Sequence, residues 1–334
     1  MMDATDKNNG LRRGPADAAG TAGRSADCAS APGLKKAPPI SAGREDRFYY
    51  EISDACVQCG ACASACPVGA IGAGDSRYGI DPAACIDCGT CSAVCPVGAA
   101  RRAPFIRESI STAGIDMRRC YFNPGCALSL YKPEVPGLML ELLRAHFGDV
   151  RLHSVCCRHD PGLAPGSTII NNCAGCDRRF RSLYAGVNTI SYWEIIDSVP
   201  DLKLPDHSGL TVSVHDSCGY RHKPQVHRAV RSLLRRMNIE IEESAFSGTE
   251  SVCCGDNFYG AVPDAQVEAR IAMRAAQLPR EDVVVYCIGC VRAMISAGKR
   301  PLYLPDLLLG RASEPMPDTL REYHSKLEAY IEGH

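Results

Sequence analysis

Eight cysteines between Cys56 and Cys95 repeat one spacing twice: Cys56, Cys59, Cys62 and Cys66 followed by Pro67, then Cys85, Cys88, Cys91 and Cys95 followed by Pro96. Three thiols set two residues apart converge only where the backbone curls tightly, and Gly60 and Gly89 supply freedom for that curl. The proline after each fourth cysteine fixes φ and turns the chain, so the fourth thiol points away from its own triplet. This spacing predicts a pair of 4Fe-4S cubanes. A zinc ribbon would use two CxxC pairs rather than a doubled triplet, and a disulfide knot belongs to an oxidising compartment.

The doubled run resembles that of bacterial two-cluster ferredoxins, in which the fourth cysteine of each run ligates the other cluster. The resemblance implies one cluster on Cys56, Cys59, Cys62 and Cys95 and a second on Cys85, Cys88, Cys91 and Cys66. It implies a ferredoxin-like α+β domain over residues 47–105, opening with the strand-like run Phe48 to Ile52.

The chain has 334 residues, which suits about two domains, and a formal net charge of -1, which argues against a nucleic-acid surface. No apolar run reaches the roughly eighteen residues of a membrane span. Arg12 and Arg13 are followed by Gly, Ala, Asp and Ser rather than an apolar segment, so neither a twin-arginine nor a Sec signal is read there. Twenty cysteines in such a chain imply metal ligation in a reducing compartment, and the expectation is cytoplasmic. Residues 1–46 have almost no large apolar side chain and read as a disordered tail carrying the unassigned Cys28; residues 106–119 read as a polar linker.

A second, more divergent duplication starts at Cys120, dividing residues 120–205 from residues 206–312. Each copy runs through an apolar strand, a cysteine (Cys126 or Cys218), a helix beginning near Pro133 or Pro224, adjacent cysteines (Cys156-Cys157 or Cys253-Cys254), a second strand, and a CxxC (Cys173 and Cys176, or Cys287 and Cys290). Alternating strands and helices predict two pseudo-symmetric α/β lobes with parallel sheets, so the whole chain reads as α/β behind a ferredoxin-like domain. Copy two carries Val267, Ile271, Ala275 and Leu278 at helical spacing before its CxxC. Copy one has only Pro161, Pro165 and turn residues in that interval, which predicts a missing crossover helix and a more open site. Residues 313–334 read as a C-terminal helix with Asp318 as N-cap, packed on the second lobe.

Each lobe thus offers five thiols: Cys126, Cys156, Cys157, Cys173 and Cys176, then Cys218, Cys253, Cys254, Cys287 and Cys290. Five exceed the needs of a tetrahedral zinc site or a cubane. Adjacent cysteines diverge on an extended backbone, so a larger or irregular cluster is expected to bridge them. If copy one holds no cluster, zinc or reduced structural thiols are the alternatives. Cys120 has no assigned role. This pattern, with His215-Asp216-Ser217-Cys218 and Cys253-Cys254-Gly255, resembles the cysteine-rich CCG domains of the heterodisulfide reductase B subunit. Related domains occur in the anaerobic glycerol-3-phosphate dehydrogenase C subunit and in lactate-utilisation iron-sulfur proteins. Copy one departs, with Arg158 in place of the glycine. The resemblance implies one or two non-cubane 4Fe-4S clusters and electrons passing from the ferredoxin domain to the lobes.

His215 and His159 are the candidate proton donors or hydrogen-bond partners of cluster sulfur. Gly72 and Gly74 begin like a dinucleotide fingerprint, but Arg77 stands where the third glycine belongs, so no bound flavin or nicotinamide is expected and electrons come from a partner flavoprotein or ferredoxin. The leading reading is a reductase, or its subunit, acting on a disulfide or related small molecule. The alternative is an electron-transfer module for a flavoprotein or quinone-linked dehydrogenase. A metal or redox sensor is a third reading, favoured only if the lobes bind zinc.

Overall fold

The computed structural model describes residues 50–81, 84–85, 88–102, 114–184 and 186–333. The expected tail, Cys28, the start of the Phe48 strand and most of the linker lie outside the described residues.

Six short elements enclose the doubled cysteine run: β1 (Tyr50–Ile52), α1 (Ala61–Ala65), β2 (Ile71–Ala73), β3 (Tyr78–Ile80), α2 (Thr90–Val94) and β4 (Ala100–Arg102). β1 pairs antiparallel with β4, and β2 with β3, so the two halves of the repeat are interleaved. Gly60 and Gly89 sit in left-handed conformation immediately before α1 and α2, where the chain reverses between two cysteines. The core of this unit is small, with Tyr50, Ile52, Ile71, Ala99 and Ala100 packed around buried Cys62 and Cys91.

The next stretch forms β5 (Cys120–Asn123), α3 (Cys126–Tyr131), α4 (Val135–Phe147), β6 (Arg151–Leu152), β7 (Thr168–Asn171), α5 (Ala174–Leu183), β8 (Asn188–Ser191) and α6 (Tyr192–Asp197). Its four strands form a parallel sheet in the order β6-β5-β7-β8. Then come β9 (Thr211–His215), α7 (Pro224–Arg236), β10 (Glu240–Ile241), α8 (Asp264–Ala276), β11 (Asp282–Val285), α9 (Ile288–Ser296), β12 (Arg300–Tyr303), α10 (Leu304–Leu308) and α11 (Leu320–Glu332). These strands form a second parallel sheet in the order β10-β9-β11-β12. The Val283-Val284-Val285 run is buried on both faces, as a parallel strand covered by helices requires. One contiguous core joins both sheets and includes Trp193 edge-on to Tyr286.

The proline-rich interval from Pro161 to Ser167 contains no helix, whereas α8 fills the matching interval of the second sheet. The C-terminal helix departs from expectation in two respects. Its N-cap is Thr319, whose hydroxyl accepts from the Glu322 N–H while Glu322 accepts from Thr319, a capping box that the Thr-x-x-Glu spacing encodes. Asp318 instead accepts from Tyr131 Oη at 2.8 Å and Lys326 Nζ at 2.8 Å. Nor does α11 pack on the second sheet unit alone. Tyr323 stacks on Tyr131 of α3, and Arg158 makes two 2.7 Å bonds to Glu328, while His324 stacks on Tyr259 near the second sheet.

Two buried lysines bind the sheets to each other. Each precedes a proline, Pro133 just ahead of α4 and Pro224 at the start of α7, and each reaches an acid across the junction: Lys132 to Asp306 at 3.0 Å, Lys223 to Asp177 at 3.0 Å. Around them α3 packs on α9, α5 packs on the turn Cys218–Tyr220, and Tyr220 Oη donates to the Asn171 carbonyl at 3.1 Å. Gly219 makes the second contact possible, since a Cβ there would lie 2.8 Å from Ala174 Cβ and 2.9 Å from its carbonyl carbon.

Removing one member of a buried pair strands the other charge. Lys132→Met should cost about 3–5 kcal/mol near neutral pH. Burial already raises the Asp306 carboxyl despite Lys132, so the isolated acid is expected to take up a proton in the variant. A group whose folded pKa is raised is most favourable below its unfolded value and loses that contribution as pH rises through the folded one. The deficit should therefore shrink as pH falls toward the ordinary carboxylate range, and Lys132→Met/Asp306→Leu should recover much of it. Denaturant unfolding of anaerobic protein across pH checks this; a deficit that grows on acidification would contradict it.

Candidate metal centres

The fold sorts the ferredoxin-type cysteines into two cavities. Cys56, Cys59, Cys62 and Cys95 line one of about 290 Å³, walled by Ile52, Val57, Tyr78 and Val97. Cys66, Cys85, Cys88 and Cys91 line the other, of about 320 Å³, walled by Tyr50, Val68, Ile71 and Ile80. Each fourth cysteine therefore stands with the opposite triplet. Each is also held by a backbone donor, Ala70 N–H to Cys66 Sγ at 3.2 Å and Ala100 N–H to Cys95 Sγ at 3.4 Å. The latter bond lowers the Cys95 thiol, whereas burial and the neighbouring sulfurs push Cys91 up to about 12. Four sulfurs around an apolar hollow, with amide N–H groups aimed at the sulfur, fit a 4Fe-4S cube in each cavity.

Both five-cysteine sets assemble as well. In the first, sulfur–sulfur contacts run Cys126–Cys156–Cys157–Cys176–Cys173. In the second they run Cys218–Cys253–Cys254–Cys290–Cys287, with Cys254 and Cys290 Sγ 3.5 Å apart. The order is the same: lone cysteine, first and second of the adjacent pair, second and first of the CxxC. The expectation that adjacent side chains diverge is thus corrected, because the two thiols of each pair come near enough to share a proton. In the second set the turn needs Gly255, at φ 110°, where a Cβ would meet Ile271 of α8 at 2.7 Å. The first set has no crossover helix in that place, so Arg158 is accommodated and reaches Glu328 instead.

Crowding governs the charge on these thiols. Donating its S–H to Cys156, then burial, pushes Cys126 up, while S–H donors from Cys126 and Cys157 pull Cys156 down. In the second set donors from Cys253 and Cys290 pull Cys254 down to about 6, and Cys290 is pushed up. Five thiolates in contact repel one another unless polyvalent cations lie among them, and soft sulfur donors select iron–sulfur clusters, zinc or copper(I). Cys126, Cys157 and Cys173 are half-buried in the first set; only Cys218 and Cys287 are in the second.

His215 ends β9 fully buried, and one of its ring nitrogens lies within 4.8 Å of both Cys254 and Cys290 Sγ. Nδ1 accepts from Arg274 Nε at 3.1 Å, and burial and Arg274 together push the imidazole down to about 3. It is a neutral hydrogen-bonding group at physiological pH, not a source of imidazolium protons. The neighbouring Asp216 is structural: Arg231 binds it through both oxygens, at 3.0 and 2.8 Å, and Tyr286 Oη donates to it at 2.9 Å. His159 is exposed on the turn after Cys157. Cys120 lies in the core, its thiol against the Asp116 carbonyl and Met117 Sδ and pushed up to about 11 by burial, apart from either set.

Arg221 is a further buried group beside the second set. Buried three residues after Cys218, it donates to the Ser251 carbonyl at 2.6 Å, just before the paired cysteines, and to Tyr50 Oη at 3.0 Å. Tyr50 lines the Cys88 cavity, and Cys88 itself packs against the large core. Arg221 therefore ties the ferredoxin-type unit to the second cysteine set. No spacing rule marks it. The lysines of the sheet junction did carry a signal, a Lys-Pro step at the same place in each copy.

Residues 43–100 match the family described as 4Fe-4S dicluster domain, and residues 212–295, which include the whole second set, match the family described as cysteine-rich domain, CCG. A ferredoxin of Clostridium pasteurianum is 66% identical over 32 residues, 10% of this chain and 57% of the relative. A ferredoxin of Acetoanaerobium sticklandii is 62% identical over 34 residues, 10% and 61% of the two chains. A 4Fe-4S ferredoxin of Gottschalkia acidurici is 59% identical over 32 residues, 10% and 57%. The chain spans about three-fifths of the length of these relatives. It contains a ferredoxin-type dicluster domain and a CCG cysteine-rich domain. Among the described residues no helix is long and apolar enough to cross a membrane.

The crossed cavities make a separable prediction. Cys95→Ala should disturb the paramagnetic signal of the Cys56, Cys59 and Cys62 site and leave that of the Cys85, Cys88 and Cys91 site closer to normal. Loss confined to the second site would contradict the crossing.

Proposed function

We propose that this iron–sulfur electron-transfer protein is a reductase, or the reducing subunit of one, for a disulfide or related small molecule, in the manner of heterodisulfide reductase. The observation that carries the reading is the pair of five-sulfur chains with one contact order, each offering a thiolate more than a cubane needs. In this reading residues 47–105 are the ferredoxin-type domain, residues 120–205 and 206–312 are pseudo-symmetric lobes, and residues 313–334 are the terminal helix. The matching strand orders and the reciprocal lysine contacts support that division. Cys56, Cys59, Cys62 and Cys95, and Cys66, Cys85, Cys88 and Cys91, would each hold a cubane, and each five-cysteine set a non-cubane 4Fe-4S cluster. Such clusters supply one-electron transfer, and a non-cubane one an iron open to sulfur.

The residues give the path a direction. Cys59 is exposed beside exposed Val57 and Val97, which suits docking of a flavoprotein or ferredoxin donor at that cavity. The Cys88 cavity faces inward, where Tyr50 and Arg221 lead to Cys218 and to the loop before Cys253. The reaction balances as one disulfide plus two electrons and two protons giving two thiols, the electrons arriving singly from the donor. The three half-buried thiols of the first set favour substrate approach there.

The electron-transfer reading, with no substrate of its own, is favoured by one observation: α11 lies against the first set through the Arg158–Glu328 pair, the place where a substrate would enter.

Anaerobic protein is predicted to hold about sixteen irons with comparable acid-labile sulfide. About eight irons with stoichiometric zinc would remove the lobe clusters and favour the sensor. Cys156→Ser should abolish oxidation of the reduced protein by low-molecular-weight disulfides while a strong donor still reduces the ferredoxin-type sites. Wild-type protein with full iron that no disulfide oxidises would support the electron-transfer module.

A further inference from the structure

The two five-sulfur sets differ in the group at the end of the central strand. Asn123 ends β5 and His215 ends β9, each three residues before the lone cysteine of its set. Asn123 commits its amide nitrogen to backbone, donating to the His153 carbonyl at 2.9 Å and the Val155 carbonyl at 3.2 Å. Those two acceptors fix the amide, so its remaining atom is an acceptor and offers no proton to sulfur.

His215 is arranged in the opposite sense. A guanidinium only donates, so the Arg274 bond fixes Nδ1 as the acceptor, and the proton of the neutral ring sits on Nε2. Nε2 is buried with no partner in the protein. Arg274 is itself immobilised, giving Nη1 to Gln277 Oε1 at 3.1 Å and Nη2 to the Phe246 carbonyl at 3.0 Å. It projects from α8, the crossover helix that the first sheet lacks. Asp216, pinned by Arg231 and Tyr286, fixes the strand end from the other side. A ring so held cannot ligate iron through Nε2 without becoming imidazolate, and its Nδ1 is taken by the arginine bond.

We propose that His215, oriented by Arg274, donates its Nε2–H to sulfur of the cluster held by the second set, and thereby holds that cluster at a higher reduction potential than the one in the first set. This rests on the reading that both sets hold iron–sulfur clusters. A donor at sulfur stabilises the reduced, more negative state more than the oxidised one, and such bonds are among the determinants of cluster potential. His215 is a positioning residue, and the loss of α8 from one copy carries the loss of its donor. Electrons entering beside Arg221 would collect on the second set first.

The test uses anaerobic protein labelled with ¹⁵N-histidine. Pulsed electron paramagnetic resonance on the second-set signal should show a weak ¹⁵N coupling and an exchangeable proton, both lost in His215→Asn. In redox titration His215→Asn should move that signal to lower potential with the ferredoxin-type signals unmoved, and His215→Gln, which keeps an N–H of similar reach, should recover part of the shift. The labelled wild type requires no variant to fold. A coupling of directly bonded strength, no coupling, or an unshifted potential in His215→Asn with its cluster retained would each overturn the proposal. Were Cys254→Ser to alter no iron signal, the second set would hold no cluster, and the underlying reading would fall together with the inference.

Discussion

Ten buried or half-buried thiols, gathered into two chains of sulfur–sulfur contacts, impose the constraint on which the rest of this structure depends. Sulfur atoms this close share protons unevenly, so that Cys156 and Cys173 in the first set and Cys254 in the second are pulled down while Cys126, Cys157, Cys176 and Cys290 are pushed up. They ionise together only around polyvalent cations. Metal binding of this kind is also folding free energy, because the site does not exist in the unfolded chain. The turns at Cys156-Cys157 and Cys253-Cys254, and the starts of α3, α5 and α9, are where the chain bends to bring those sulfurs together.

The junction between the two sheets extends that constraint across the molecule. Lys132 and Lys223 each leave one repeat and end buried against an acid of the other, and Gly219 lets the Cys218 turn approach α5 closely enough for Tyr220 to bond the Asn171 carbonyl. Neither sheet could be removed without stranding charge in the other. The same junction reaches the ferredoxin-type unit, since Arg221 emerges from it to bond Tyr50 beside the Cys88 cavity. The differences between the two sets go together: beside the first, no helix matches α8, Arg158 rather than glycine follows the cysteine pair, Asn123 stands where the second has His215, and α11 reaches in through Glu328.

Much of this was legible in the residues, for reasons that differ by feature. The ferredoxin-type unit was readable because ligand spacing there is local and the metal dictates it; the crossed cavities follow from the position of one proline after each run. The parallel sheets were readable from apolar runs and the repeat register, and the missing helix from Pro161 and Pro165. The terminal helix packs on the second sheet unit as expected, but its added anchors on the first, Tyr131 and Arg158, lie far away in sequence, and its cap was misread because Asp318 stands next to the true Thr319. The convergence of adjacent cysteines was missed because an extended backbone was assumed where the chain turns. Arg221 and Arg274 were invisible for a further reason: an arginine in a helix or loop gives no sign that it will be buried.

The central claim is that each five-sulfur chain holds iron. X-ray diffraction from anaerobically grown crystals, with anomalous data on either side of the iron and zinc edges, tests it most directly. The account predicts iron density at both ferredoxin-type cavities, among Cys126, Cys156, Cys157, Cys173 and Cys176, and among Cys218, Cys253, Cys254, Cys287 and Cys290. Iron confined to the first two cavities, with zinc or no metal among the five-sulfur chains, would contradict it.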